Sequence, residues 1–130
     1  MSAFDSINFM NAALQVREAQ LATTAGNLAN QDTPNFKAKG IDFQNALSKK
    51  LDTKTVGLIT TDPRHIQASS VNNGIQTQFV NSGTIRADGN TVNSDLEKLK
   101  FAEYEVQYET ALTFSQKKVD SLKRMLKENK

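Results

Sequence analysis

The chain has 130 residues, with 16 Lys and Arg against 14 Asp and Glu, one His, no Cys and no Trp. That length accounts for one ordinary domain, and a formal charge of +2 gives no support for nucleic-acid binding, which needs a basic stripe or cluster. The lack of cysteine excludes a disulfide framework, a thiolate zinc site and a thiol nucleophile. No apolar run approaches the roughly 18 residues of a membrane span, and we expect no cleavable secretory signal at the start.

Proline and glycine divide the chain into three zones. Residues 1–30 contain no proline and few charges, residues 31–91 hold both prolines and five of the six glycines, and residues 92–130 contain neither. We therefore predict a mainly α fold. Long N- and C-terminal helices, in residues 1–30 and 92–130, would form an antiparallel coiled-coil-like pair, and the turn-rich middle segment, 31–91, would contain short β-strands.

The first zone predicts a helix from about Ala3 to Ala29. Its large aliphatic residues recur every seven positions, which is typical of a coiled-coil seam: Ile7, Leu14, Leu21 and Leu28. Asp5 or Ser6 is expected to cap the start. Thr33-Pro34 would stop the helix, because proline disfavours the helical conformation of the residue before it.

The opposite face of this helix is polar but carries few charges, whereas a water-facing helix usually carries Lys, Glu and Arg there. It comprises Asn8, Asn11, Gln15, Gln20, Thr23, Thr24 and Asn27. Two interpretations stay open. Either other subunits enclose the helix, or its own domain covers it.

The third zone predicts a helix from a capping box at Ser94-Asp95-Leu96-Glu97 to the end of the chain. Acidic residues dominate its first turns and basic residues its last, as the helix dipole favours. We expect its carboxylates, Glu97 included, to lie on a solvated surface. Its seam positions would face the first helix within the subunit and between subunits: Leu99, Val106, Leu112, Val119, Leu122 and Leu126.

The middle segment gives weaker signals. Residues 44–55 are a candidate short helix, and Ile75, Thr77 and Phe79 alternate with glutamines as in a half-buried strand. A turn at Asn72-Asn73-Gly74 would pair that strand with Ile66–Val71. Asp88-Gly89 predicts a tight turn before the last helix.

The long last helix argues for assembly. From Asp95 to Lys127 it would measure about 50 Å at about 1.5 Å per residue, whereas a globule of this chain length is about 36 Å across. Packing against neighbouring copies would cover the apolar stripes that the chain cannot bury alone. We therefore expect one structural domain that neighbouring subunits complete.

Catalytic chemistry lacks support in the sequence. His65 is the only histidine, and a lone histidine without nearby ligands is usually structural. No glycine-rich phosphate loop, metal-ligand cluster or nucleophile elbow is present. We predict no catalytic residue, no metal site, no cofactor, no nucleic acid and no small-molecule substrate.

Two segments carry a family resemblance. Residues 21–37, Leu-Ala-Thr-Thr-Ala-Gly-Asn-Leu-Ala-Asn-Gln-Asp-Thr-Pro-Asn-Phe-Lys, resemble the Asn-Ile-Ala-Asn-x-x-Thr-Pro-x-Tyr-Lys signature of flagellar rod and hook axial proteins. Residues 37–43 and 88–104, the latter beginning Asp-Gly-Asn-Thr-Val-Asn, narrow the resemblance to proximal rod members of the flagellar axial rod protein family. The matching positions are Asn27, Asn30, Thr33, Pro34, Phe36, Asp88, Gly89 and Asn90, with Phe36 where the signature has Tyr.

The resemblance implies a structural function. The chain would polymerise with other axial proteins into the proximal rod of the bacterial flagellar basal body, and so transmit torque from the motor ring to the hook. Its partners would be its own copies in a helical rod, the rod protein FlgC and the adaptor FliE, with the membrane ring as a further candidate. The flagellar type III apparatus would export it to a periplasmic rod. The alternative is a coiled-coil adaptor or accessory protein of flagellar export or basal-body assembly.

Overall fold

The computed structural model describes residues 2–52, 74–83 and 85–129. These residues form three helices and one two-stranded sheet. In chain order the elements are α1 (Ala3–Ala29), β1 (Lys39–Gly40), α2 (Phe43–Asp52), β2 (Gln78–Phe79) and α3 (Ser94–Glu128). The mainly α fold predicted from the sequence is confirmed.

Helix α1 has the predicted bounds, but a different residue caps its start. The Ser2 hydroxyl oxygen accepts a hydrogen bond from the Asp5 backbone N–H at 3.1 Å, and an Asp5 carboxylate oxygen accepts one from the Ser2 N–H at 3.0 Å. This is a reciprocal capping box. The prediction that Asp5 or Ser6 is the cap was wrong, because both residues already lie inside the first helical turn.

Helix α3 begins at Ser94, one residue earlier than a Ser94 cap would place it. Asn93 is the N-cap, and its side-chain oxygen accepts a hydrogen bond from the Leu96 N–H at 3.2 Å. The predicted capping box between Ser94 and Glu97 is therefore wrong. Glu97 turns instead into the interior, where it is 2 % exposed. The helix continues unbroken for 35 residues, which is about 52 Å at about 1.5 Å per residue.

Helices α1 and α3 pack side by side in opposite directions, as predicted. Asn27, near the end of α1, donates a hydrogen bond to Glu97, in the first turn of α3. Ile7, near the start of α1, lines the same groove as Leu122 and Leu126, near the end of α3. Contacts at both ends of the pair thus establish the antiparallel arrangement.

A small core lies between α1 and the middle segment. Val16 of α1 is fully buried against Ile41, Ala46 and Ile75, and Ala19 and Phe43 pack around this cluster. Helix α2 contributes Ala46, so the short helix predicted at 44–55 is observed at Phe43–Asp52. The middle segment therefore covers one side of α1.

The short sheet differs from the predicted one. Strand β2 pairs antiparallel with β1, and Lys39 faces Phe79 across the ladder. Of the predicted half-buried face, Ile75 is buried but Thr77 and Phe79 are exposed, so the alternation was wrong beyond its first position. The predicted partner strand Ile66–Val71, the turn residues Asn72 and Asn73, and His65 lie outside the described residues.

The polar face of α1 is partly covered by the chain itself. Gln20, Thr24 and Asn27 are buried, whereas Asn8, Asn11 and Gln15 are exposed. For the second half of the helix, the interpretation that its own domain covers this face is therefore the correct one. Within the described ranges, no helix is both long and apolar enough to cross a membrane.

Candidate functional site

The residues that carry the family resemblance meet where α1 ends. The loop after α1, residues 30–36, lies against the turn before α3, residues 86–91. Between them, the Asn35 N–H donates to the Asp88 carbonyl oxygen and the Thr91 N–H donates to the Phe36 carbonyl oxygen, both at 3.0 Å. We call residues 30–36 and 86–91 the motif junction.

Asn90 is the central residue of the motif junction. Its side chain is completely buried, and its amide nitrogen donates to the carbonyl oxygens of Asn30 at 2.9 Å, Gln31 at 3.1 Å and Thr33 at 2.8 Å. Its side-chain oxygen accepts a hydrogen bond from the Val92 N–H at 2.8 Å. The last carbonyls of a helix lack partners within the helix, so Asn90 satisfies the backbone that leaves α1 and fixes the chain that enters α3.

The Asp88-Gly89 turn forms as the sequence predicted. Gly89 has φ of 80°, a left-handed conformation that glycine adopts without steric cost. A Cβ at this position would collide with the side-chain oxygen of Asn35. Asn35 itself has φ of 60°, which asparagine tolerates better than most residues. The two turns therefore pack closely because one of them has no side chain at the contact.

Arg86 links the two sides of the motif junction at the surface. Its Nη1 donates to the Gln31 carbonyl oxygen at 2.6 Å, and its Nη2 lies 3.8 Å from an Asp88 carboxylate oxygen and 4.0 Å from an Asp32 carboxylate oxygen. Exposed ion pairs of this kind contribute little to stability. The hydrogen bond to the backbone is the more specific contact.

A second buried polar cluster joins α1, β1 and α3. The Asn27 amide nitrogen donates to the Lys39 carbonyl oxygen at 2.7 Å and to Glu97 Oε2 at 3.0 Å, and the Asn27 side-chain oxygen accepts from the Lys39 N–H at 3.0 Å. Lys100 Nζ lies 3.4 Å from Glu97 Oε1. Each buried polar group named here has a partner, as buried polar groups require. The cluster holds the start of α3 against the end of α1.

A third polar contact ties the middle of α1 to α2. The Arg17 guanidinium lies 3.7 Å above the centre of the Phe43 ring and donates to Gln20 Oε1 at 2.9 Å. Partial burial lowers the pKa of Arg17 from its ordinary value, while Tyr104 and Glu103 act in the opposite direction. Arginine remains protonated throughout the physiological pH range, so this cation keeps its contact with the ring.

The predicted seam residues fall into two groups in the single chain. Half-buried positions are Ile7, Leu14, Leu21, Leu28, Leu112 and Leu122. Exposed positions are Leu99, Val106, Val119 and Leu126. Leu99 and Val106 do not face α1 within the subunit, because their helical positions lie on the side of α3 opposite Glu97. Whether any of these residues contacts another subunit stays a prediction.

An apolar groove opens where α1 starts and α3 ends. It has a volume of about 380 Å³ and is lined by Ala3, Phe4, Ile7, Val119, Leu122, Lys123, Met125, Leu126 and Asn129. Phe4 and Leu126 are largely exposed beside it. Exposed apolar surface of this kind is typical of interaction sites. We call this feature the end groove.

Sequence reasoning missed several residues that build the site. Asn35, Arg86 and Asn93 were not singled out, and Glu97 was assigned to a solvated face. A Pro-Asn pair is a turn signal and could have drawn attention to Asn35. Asn93 precedes a capping-box pattern and is itself a favoured N-cap residue. No local signal reveals Glu97, whose partner Asn27 is 70 residues away.

The motif junction fixes the orientation of α1 and α3, and the helix pair presents an apolar surface. In the part of the chain that the structure describes, no three His, Cys, Asp or Glu residues are grouped so as to hold a metal ion. The predicted site residues form two features instead. One is a hydrogen-bonded junction that orients α1 and α3, and the other is the apolar surface of those helices.

Comparison with known proteins shows that this chain is similar in sequence to several proteins named flagellar basal body rod protein FlgB. It is 36 % identical over 116 residues to the flagellar basal body rod protein FlgB of Aeromonas hydrophila, which covers 88 % of this chain and 87 % of that protein. It is 32 % identical over 123 residues to FlgB of Buchnera aphidicola, covering 92 % of each. It is 32 % identical over 114 residues to FlgB of Escherichia coli, covering 83 % of each. No family model matches the chain.

Proposed function

We propose that this chain, which belongs to the FlgB family of flagellar basal body rod proteins, is a structural subunit of the flagellar rod. In that role it polymerises with other axial proteins and carries torque from the motor ring to the hook. Proteins named as rod components are 32–36 % identical to it over more than four fifths of its length. The proposal is a structural role rather than a catalytic one.

One structural observation carries this proposal: the antiparallel helix pair leaves large apolar side chains uncovered in the single chain. Leu99, Val106, Phe114 and Leu126 are all exposed along α3. Uncovered apolar surface on this scale favours contact with other subunits. We propose that residues 1–30 and 92–130 are assembly helices and that neighbouring subunits complete the domain.

We further propose the partners and the route that the family resemblance implies. The partners are other copies of the chain, the rod protein FlgC and the adaptor FliE, with the membrane ring as an additional contact. The location is the flagellar basal body, as the names of its relatives support. Export through the flagellar type III apparatus would place the subunit in the periplasmic rod.

The alternative of a coiled-coil adaptor or accessory protein is not favoured. An adaptor would use the same helices to form a small closed complex. The similarity to rod proteins covers 92 % of this chain in one relative, so it extends well beyond the helices that an adaptor would need.

Deletion of the gene, followed by electron microscopy of purified basal bodies, tests the function. We expect membrane rings without a rod and a loss of motility. Complete rods in the deletion strain would contradict the proposed function.

Complementation of the same strain tests the seam. Leu21 is half-buried on the heptad face of α1, and Leu21→Asp would place a charge in a dry interface. We expect Leu21→Asp to be expressed without restoring rods, while the matched control Leu21→Met restores both rods and motility. Rods assembled from Leu21→Asp would refute the seam assignment and leave the rod function standing.

A further inference from the structure

The side of α3 that faces away from α1 carries its own apolar stripe. Leu99, Val106 and Phe114 are 66 %, 64 % and 59 % exposed. Spacings of seven and eight residues place them on one side of the helix. Glu97 and Leu122, which contact the α1 side of the pair, lie on the other. We call Leu99, Val106 and Phe114 the outer stripe.

Leu99 and Val106 of the outer stripe lie in the first half of α3, Phe114 lies just beyond it, and the end groove lies at the end of the second half. The two halves differ in charge. Residues 94–109 contain five acidic and two basic residues, whereas residues 110–129 contain five basic and two acidic residues. The acidic Asp95 and Glu103 occupy helical positions beside Leu99 and Val106. Lys123 lines the end groove itself. The part of the outer stripe formed by Leu99 and Val106 is therefore bordered by negative charge, whereas Lys117 lies beside Phe114. The end groove is bordered by positive charge.

These charges distinguish three ways in which two copies could meet. Contact between two outer stripes would bring acidic borders together, and contact between two end grooves would bring basic turns together. Only an outer stripe against an end groove pairs opposite charges around an apolar centre. Like-charge contacts across an interface are unfavourable, and complementary ones select the partner and the orientation.

We propose, on the basis of the rod function above, that the outer stripe of one subunit seats in the end groove of the next. This contact uses two different surfaces, so each added subunit leaves one stripe and one groove free. A heterologous contact of this type produces an open helical array unless its rotation closes a ring. The partner of the end groove is thus a second copy of this chain, bound through the first half of its α3.

The absence of native cysteine makes the contact directly testable. Val106→Cys places a thiol on the outer stripe, and Met125→Cys places one in the end groove. Both positions are exposed, so each substitution should leave the fold intact, and motility of each single-variant strain checks this. A disulfide forms only when the two Cα atoms come within about 7 Å. Linkage between two subunits therefore reports their direct contact.

The experiment co-expresses both variants in the deletion strain, followed by mild oxidation of isolated basal bodies and mass spectrometry of the linked peptides. We expect the mixed 106–125 linkage to exceed either self-linkage by at least about tenfold. We also expect its yield to fall as the ionic strength of the oxidation buffer rises, because salt screens exposed charges. Asn81→Cys, exposed on a loop, paired with Met125→Cys gives the background yield.

Two results would overturn the proposal. The first is self-linkage at 106 or at 125 as the main product, which would indicate contact between like surfaces. The second is a mixed linkage no greater than the Asn81→Cys background in basal bodies that contain a complete rod. Either result would leave the rod function intact, because that function fails only if the deletion strain still builds rods.

Discussion

Replacing Asn90 with alanine tests whether the motif junction holds α1 and α3 together. The buried wild-type side chain makes four hydrogen bonds, three as donor to carbonyl oxygens and one as acceptor from the Val92 N–H. The amide group has only two hydrogens for three carbonyl oxygens, so it counts as two effective hydrogen bonds as donor. With the bond accepted from Val92, the side chain makes three effective hydrogen bonds. At about 1 kcal/mol net for each, Asn90→Ala should lower the free energy of unfolding by about 3 kcal/mol. For a chain of this size that corresponds to a fall in Tm of about 10 °C.

Thermal and urea unfolding, followed by circular dichroism, measure this effect. Asn81→Ala is the matched control, since Asn81 is exposed and, among the residues that the structure describes, its side chain accepts one hydrogen bond, from the Gly83 N–H. It should change the free energy of unfolding by less than about 1 kcal/mol. Asn90→Asp separates the donor role from the acceptor role, because a carboxylate keeps the acceptor for Val92 but faces three carbonyl oxygens without a proton to donate. We expect Asp to destabilise at least as much as Ala. An Asn90→Ala variant no less stable than Asn81→Ala would refute the reasoning.

Substitutions at three further positions probe the turn and the buried cluster. Gly89→Ala should destabilise the fold by more than about 1 kcal/mol, since Gly89 has φ of 80° and its Cβ would meet the Asn35 side chain. Gly26→Ala is the control, because a Cβ at this helical position has open space around it. It should raise the free energy of unfolding by about 0.5–1 kcal/mol. Equal effects of the two substitutions in urea unfolding would contradict the assigned role of Gly89. Glu97→Ala removes the acceptor for the Asn27 amide and should cost about 2–3 kcal/mol. Glu97→Gln keeps that acceptor and should cost less than Glu97→Ala, because the Lys100 ammonium that loses its partner is 27 % exposed and stays hydrated. A larger loss for Gln than for Ala would show that charge, rather than the hydrogen bond, holds the cluster.

The helices were predictable because their signals are local. A seven-residue aliphatic repeat and the Thr33-Pro34 break gave the bounds of α1, and a stretch free of proline and glycine gave α3. The caps were less predictable, since Ser2, Asp5 and Ser6 are all plausible caps by residue type. Only the conformation of the backbone decides which of them precedes the first helical turn.

The buried polar residues could not be assigned from local sequence. Glu97 fits a capping box by its spacing from Ser94, but it bonds to Asn27, 70 residues earlier in the chain. The scarcity of charge around Gln20, Thr24 and Asn27 did show that this face of α1 is not freely solvated. It did not show what covers the face, which depends on where the middle segment folds back.

The outward positions of Leu99 and Val106 illustrate the same limit. Heptad-like spacing identifies residues that share a face, but it does not identify the neighbour of that face. In the single chain these two residues point away from α1, so their apolar character is explained by contact between subunits, as we propose, rather than within one.

Thiol labelling of the Val106→Cys variant tests most directly whether assembly covers the exposed helix surface. The thiol would be the only one in the chain, and the native side chain at this position is 64 % exposed. We predict rapid alkylation in the free subunit and a rate at least about tenfold lower in intact basal bodies, with reactivity restored when the basal bodies are denatured. Equal alkylation rates in the free subunit and in a complete rod would contradict the account.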